Sequence, residues 1–93
     1  MEDEKLLAVL PILRREYDAA VGKHPTFAAS LPEAVALITE ELGELAREIN
    51  DELANNRKGL TGIKFKEKSL TEAAHVAVTA IRLMQMVLEG GRE

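Results

Sequence analysis

The 93-residue sequence contains no cysteine and no tryptophan, and only Tyr17, Phe27 and Phe65 are aromatic. Disulfide bonds and thiolate metal sites are therefore excluded. So few aromatic residues argue against a β-sandwich or barrel, whereas abundant alanine, leucine and glutamate favour helices. A chain of this length predicts a single domain, residues 1–93, whose small core needs support from a metal ion or a partner subunit.

Charge and hydropathy argue against binding to nucleic acid and against a membrane protein. The formal net charge of −4 disfavours nonspecific binding to nucleic acid. The longest nearly apolar stretch, residues 73–88, is too short and too polar for a membrane span. Residues 1–4 are acidic and do not resemble the start of a signal peptide. The expected location is the cytoplasm, with no nucleic-acid or membrane partner.

Hydrophobic periodicity predicts three helices. In the first, over residues 3–21, apolar residues recur at spacings of four, three and four. Pro11 lies inside this pattern and must either kink the helix or mark its first turn. The second helix begins at a capping box made by Ser30 and Glu33 and should end near Asn55.

The segment between the second and third helices is basic. Residues 57–68 carry five basic residues and one acidic residue, and we expect a loop or a frayed helix start there. The third helix begins either at Ser69, which could form a second capping box with Glu72, or earlier, near Phe65. It should run to about residue 89, before two glycines.

The third helix is apolar on nearly every side. Twelve of the sixteen residues at 73–88 are apolar. A helix of this kind is buried all round, and a chain with three helices cannot cover one of them completely. The sequence therefore predicts an all-α fold with three main helices per chain, in a bundle completed by dimerisation or tetramerisation.

Four polar residues of the third helix share one face. At about 100° per residue, the sector that holds them is roughly 80° wide. Buried polar groups need partners, because leaving one unpaired costs several kcal/mol. They could form a structural network, with a Glu–Arg pair and a hydrogen-bonded histidine, or part of a site. The residues are Glu72, His75, Thr79 and Arg82.

The second helix has an acidic face beside its apolar stripe, formed by Glu41, Glu44 and Glu48. Like charges at these spacings destabilise a helix by a few tenths of a kcal/mol per pair. The face could simply be solvated, as charge runs usually are. Alternatively, clustered carboxylates suit a hard cation such as Mg²⁺, which takes oxygen ligands.

These residues also resemble the motifs of a known superfamily. Residues 40–44 read E-E-x-x-E, and Glu72 begins an E-x-x-H segment that ends at His75. The MazG-like, all-α nucleoside triphosphate pyrophosphatases carry E-E-x-x-E on one helix and E-x-x-D on a later one. The separation of 27 residues between the motifs is similar, as is the position of Arg82. The resemblance covers about residues 23–88, with histidine in place of the last acidic ligand.

The resemblance implies hydrolysis of a nucleoside triphosphate between its α- and β-phosphates, in a homodimer or homotetramer. Bound Mg²⁺ would polarise the α-phosphoryl group, neutralise the leaving pyrophosphate and help to generate the attacking hydroxide. The implied metal ligands are Glu41, Glu44, Glu72 and His75. Glu40 would orient or activate the water. The candidates for phosphate binding are Arg82, Lys64, Lys66 and Lys68.

His75 affects the choice of metal, because a neutral imidazole suits Mn²⁺ and later transition metals better than Mg²⁺. The site could hold fewer ions, prefer another ion, or have lost activity. A phosphoribosyl-ATP pyrophosphohydrolase is disfavoured, because its A-D-L-x-x-H run is absent. His24 and Phe27 could contact a nucleobase, although loop packing is the favoured interpretation. The alternative function is a catalytically weak or inactive helical module for oligomerisation or regulation.

Overall fold

The computed structural model of the protein describes the backbone of residues 2–57 and 63–90, and the side chains of residues 2–54 and 67–90. Three helices account for most of the chain: α1 (Glu2–Lys23), α2 (Leu31–Arg57) and α3 (Ile63–Leu88). Within these described ranges there is no strand, so the predicted all-α class with three helices is confirmed. None of the helices described is long and apolar enough to cross a membrane.

The boundary between α2 and α3 differs from the expected one. Helix α3 starts at Ile63, close to the earlier of the two expected starts. Of the two interpretations of the basic segment, the loop is therefore wrong for residues 63–68, and the helix start is the one observed. After Gly62 this stretch contains no glycine or proline, and lysine and glutamate are good helix formers. Helix α2 is also slightly longer than expected at its C-terminal end, because it continues to Arg57.

Of the two capping boxes that the sequence suggests, the one at Ser30 forms and the one at Ser69 does not. The backbone N–H of Glu33 donates to Ser30 Oγ at 3.2 Å, and Glu33 Oε2 accepts from the N–H of Ala29 at 3.3 Å. These bonds satisfy amides at the start of α2 that have no partner within the helix. Ser69 lies inside α3, and its buried Oγ has no hydrogen-bond partner among the described residues. Glu72 therefore stays available for another role.

Helix α3 is the centre of the fold, because it packs against both α2 and α1. Those two helices make no comparable contact with each other in the part of the chain that is described. The buried apolar residues are small: Ala28, Ala34, Ala74 and Val78. The radius of gyration is 15.2 Å, against about 12 Å for a compact domain of this length. A single chain is thus an open three-helix arrangement.

Much of the apolar surface stays uncovered in one chain. No residue of α1 is buried, and residues 2–11 are all exposed. On α3, Met84 is 60% exposed and Leu88 is 86% exposed. The expectation that α3 is buried on all sides is therefore not met within a single chain.

Candidate metal centre

Helices α2 and α3 bring three of the expected metal ligands together. Glu41 comes from α2, while Glu72 and His75 lie one turn apart on α3 and so share a face. One ligand atom from each of the three lies within 4.8 Å of the others. His75 Nδ1 is 3.8 Å from Glu41 Oε2 and 3.7 Å from Glu72 Oε2. All three side chains are partly exposed.

The two carboxylate oxygens that face His75 have no hydrogen-bond donor. Glu41 Oε2 and Glu72 Oε2 are both buried and unpartnered among the described side chains. Burial raises the pKa of Glu41, and so does repulsion from Glu44, Glu72 and Glu40, while the charge of His75 opposes the rise. The charged form of Glu41 is thus disfavoured where it stands, and a cation at this point would stabilise that form against both effects.

A fourth residue, Glu16, approaches the cluster from α1. Its Oε1 lies 3.0 Å from His75 Nε2, on the opposite side of the imidazole ring from Glu41 and Glu72. Its other oxygen accepts a hydrogen bond from Arg15 Nε at 3.0 Å. The hydrogen bond from Arg15 lowers the pKa of Glu16, and His75 contributes in the same direction against the effect of burial.

Sequence reasoning missed Glu16. It stands 59 residues before His75, and no periodic pattern within α1 distinguishes it from the other charged residues of that helix. The contact between Glu16 and His75 depends on how α1 crosses α3. The spacing of residues within one helix does not encode that crossing.

The chemistry of the ligand atoms bears on which ion could bind. Adjacent ligands at about 2.1 Å from an octahedral ion are about 3.0 Å apart, so the separations of 3.7 and 3.8 Å around His75 Nδ1 would have to shorten when an ion binds. The donor set is two carboxylate oxygens and one imidazole nitrogen. Mg²⁺ prefers oxygen alone, whereas Mn²⁺ and later transition metals also accept imidazole. The three residues therefore fit Mn²⁺ at least as well as Mg²⁺.

Glu40 and Glu44 are not part of this group. Both lie on α2 and are exposed. Their charges are close enough to raise the pKa of Glu41, but their carboxylates are not among the atoms that converge on His75. The ligand role of Glu44 and the water-activating role of Glu40 remain predictions.

Arg82 is held by the connection between α1 and α2. Its side chain donates to the carbonyl oxygens of His24 at 2.8 Å and Pro25 at 3.4 Å. Its guanidinium carbon also lies above the Phe27 ring. It stands about 10 Å along α3 from His75 and lines a cavity of about 470 Å³. A phosphate contact by Arg82 remains a prediction. The contact observed for Phe27 is with the Arg82 guanidinium.

Of the three candidate lysines, one has a described side chain. Lys68 Nζ lies 3.9 Å from Glu48 Oε1. Both residues line a smaller cavity, of about 240 Å³, that Glu72 also borders. Lys68 is therefore next to the cluster. The side chains of Lys64 and Lys66 lie outside the described residues.

The site thus consists of one nitrogen and two carboxylate oxygens from two helices, with a further carboxylate behind the nitrogen. The chain matches no protein-family model, no curated protein and no solved structure. The chemistry of the converging atoms is the basis for a functional proposal.

Proposed function

We propose that the protein is a divalent-metal-dependent nucleoside triphosphate pyrophosphohydrolase of the MazG-like type, which releases a nucleoside monophosphate and pyrophosphate. One observation carries the proposal. Glu41 from α2 meets Glu72 and His75 from α3, so that two unpartnered oxygens and a ring nitrogen converge. These are positions at which the motif resemblance implies metal ligands. Acceptor atoms that converge without a donor are stabilised by a cation.

Glu41, Glu72 and His75 would hold Mg²⁺ or Mn²⁺. When bound, the ion supplies a positive charge that polarises the α-phosphoryl group and offsets charge on the leaving pyrophosphate. Exposed Glu40, next to Glu41, orients the attacking water and accepts its proton. The water oxygen forms a bond to the α-phosphorus, the bond from that phosphorus to the bridging oxygen breaks, and the electron pair leaves with pyrophosphate.

The order of residues along α3 supports one orientation of the nucleotide. Lys68 lies one turn before Glu72, whereas the 470 Å³ cavity beside Arg82 lies beyond His75. Phosphates near Lys68 would meet its ammonium charge. The nucleoside would enter the larger cavity, whose wall includes the aromatic rings of Tyr17 and Phe27. Aromatic faces of this kind stack with planar bases.

A second copy of the chain would complete the bundle, as a homodimer or homotetramer. The support is the exposed apolar surface of α1 and of the C-terminal half of α3. A monomer rarely leaves so many large apolar side chains uncovered. The exposed residues include Leu6, Leu7, Leu10, Met84, Val87 and Leu88.

A hydrolysis assay tests the activity directly. Pyrophosphate release should be measured across a panel of nucleoside triphosphates, with Mg²⁺ and with Mn²⁺. Glu41→Gln and Glu72→Gln should each lower kcat by at least about a hundredfold, because each removes a ligand charge from the reacting centre. Asp51→Asn is the matched control, since it removes the same charge from an exposed position of α2.

The alternative is a noncatalytic helical module for oligomerisation or regulation that keeps a vestigial acidic site. The position of Glu44 outside the cluster favours it, because three protein ligands are then left instead of four. Absence of hydrolysis for every nucleotide with both ions, together with the absence of tight metal binding, would establish this alternative and overturn the pyrophosphohydrolase.

A further inference from the structure

The contact between Glu16 and His75 joins the outermost helix, α1, to the candidate metal centre. A separation of 3.0 Å between Glu16 Oε1 and His75 Nε2 is a hydrogen-bond distance. Both residues are partly buried. Arg15 holds the other oxygen of the same carboxylate, so Glu16 cannot rotate away from the imidazole without breaking a second interaction.

The hydrogen bond between Glu16 and His75 determines which nitrogen of the ring faces the metal centre. An ionised carboxylate only accepts hydrogen bonds, so Nε2 must carry the hydrogen that bridges it to Glu16. In the neutral imidazole the other nitrogen, Nδ1, then carries a lone pair. Nδ1 is the atom that lies 3.7–3.8 Å from the unpartnered oxygens of Glu72 and Glu41.

We infer that Glu16 is a positioning residue that acts through His75 on the metal centre. By accepting the Nε2–H it selects the tautomer whose Nδ1 lone pair points between Glu41 and Glu72. It thereby gives the site a preference for an imidazole-binding ion such as Mn²⁺ over Mg²⁺. Carboxylates behind metal-binding histidines generally fix the ring and make its free nitrogen more basic. The inference rests on the proposed function, because it requires an ion at this centre.

A purely structural role is the competing explanation. The pair could simply fasten α1 to α3, as the hydrogen bond between Tyr17 and Gln85 does. The two roles differ in one measurable respect. If the contact only fastens the helices, its loss should lower stability and should weaken the binding of all ions by the same factor. If the contact positions His75, its loss should weaken mainly the binding of ions that accept imidazole as a ligand.

Metal titration separates these roles. Calorimetric titrations of the full chain with MnCl₂ and with MgCl₂ should compare the wild type, Glu16→Gln and Asp18→Asn. The last is the matched control, since Asp18 is an exposed acid on the same helix that pairs with Arg14. Glu16→Gln should weaken Mn²⁺ binding about 10–100-fold, should weaken Mg²⁺ binding much less, and should thus reduce the preference for Mn²⁺. Glu16→Asp, which keeps the charge, should recover part of the preference for Mn²⁺.

Nitrogen NMR tests the tautomer in the unmodified protein. The wild type is labelled with ¹⁵N-histidine, and a His24→Gln sample assigns the signals. At pH 8 without metal, His75 should show hydrogen on Nε2, and addition of Zn²⁺ should shift the Nδ1 signal. Hydrogen on Nδ1 with none on Nε2 would overturn the inference, even if the Glu16 variants fail to fold.

The outcomes distinguish this inference from the function on which it rests. If Glu16→Gln binds Mn²⁺ as tightly as Asp18→Asn does, or loses both ions by the same factor, the positioning role is wrong and the proposed function stands. If the wild type binds neither Mn²⁺ nor Mg²⁺, both are overturned.

Discussion

The guanidinium carbon of Arg82 lies 4.9 Å from the centre of the Phe27 ring. Only 8% of Arg82 is exposed, and its side chain also donates to two backbone carbonyl oxygens of the connection before α2. A buried charge is costly without partners. Here the partners are an aromatic face and carbonyl dipoles, so Arg82 fastens the α1–α2 connection to α3.

Arg82→Ala should therefore lower the free energy of unfolding by about 2–4 kcal/mol, from lost charge-assisted hydrogen bonds and the cation–π contact. Arg82→Lys should recover only part of this loss. Lysine keeps the positive charge, but its ammonium group lacks the planar fork of guanidinium. Urea unfolding measures the effect. Arg47→Ala, at an exposed position of α2, is the control and should change stability by less than about 0.5 kcal/mol. A higher KM with unchanged stability in Arg82→Ala would instead indicate that Arg82 contacts the nucleotide directly.

Glu41 should make the metal-free protein less stable at neutral pH than in acid. Burial, with repulsion from Glu44, raises its pKa above the usual 4.5. Above pH 4.5, and up to the raised pKa, this carboxyl group holds more proton in the folded chain than in the unfolded chain. Its stabilising contribution is therefore present below that pH and is lost as the pH rises through the raised pKa. In EDTA, Glu41→Gln should raise Tm at pH 7–8 and change it little at pH 4.

The same variant tests the metal centre. Millimolar Mn²⁺ should raise Tm of the wild type at pH 7–8, since an ion that binds only the folded state stabilises it. Glu41→Gln should lose most of this increase. A wild-type Tm that is indifferent to both Mn²⁺ and Mg²⁺, or a Glu41→Gln variant that is less stable than the wild type in EDTA at pH 8, would contradict the arrangement.

His75→Asp should shift the metal preference towards Mg²⁺, because it replaces an imidazole by a hard anionic ligand. Mg²⁺ should bind more tightly and support faster hydrolysis. The same change removes the hydrogen that Glu16 accepts and places a new carboxylate near it. The metal-free variant should therefore melt at a lower temperature, and added Mg²⁺ should restore it. Unfolding that no divalent ion rescues would show that the assignment of the metal site on α3 is wrong.

The oligomeric state should depend on the exposed apolar residues of α1. Light scattering of the wild type at micromolar concentration should give a mass of about two or four times 10.2 kDa. Leu7, which is 61% exposed, is a suitable target, and Leu7→Glu should shift the mass towards one chain, because burial of a charge at an interface is costly. Lys5→Gln, on the same helix, should not. A wild-type mass near 10 kDa would exclude the assembly.

The features that the sequence by itself determined are local. Helices follow from spacings of three and four residues, because side chains at these spacings share a face. The same rule makes Glu72 and His75 neighbours on α3. The capping of α2 by Ser30 was also readable, since its bonds span only a few residues. The start of α3 was less clearly readable, because the neighbouring glycines also allowed a loop over residues 63–68, where good helix formers belong to α3.

Tertiary structure alone decided which helix faces meet. The resemblance to E-E-x-x-E and E-x-x-D motifs implied that Glu41 and Glu72 act together, but only helix packing places their oxygens beside His75 and leaves Glu44 outside. Packing also directs Arg82 to the carbonyls before α2 and brings Glu16 to His75. These contacts join residues nearly 60 positions apart. Spacing within one helix says nothing about them, because they depend on how that helix is rotated and crossed against its neighbour.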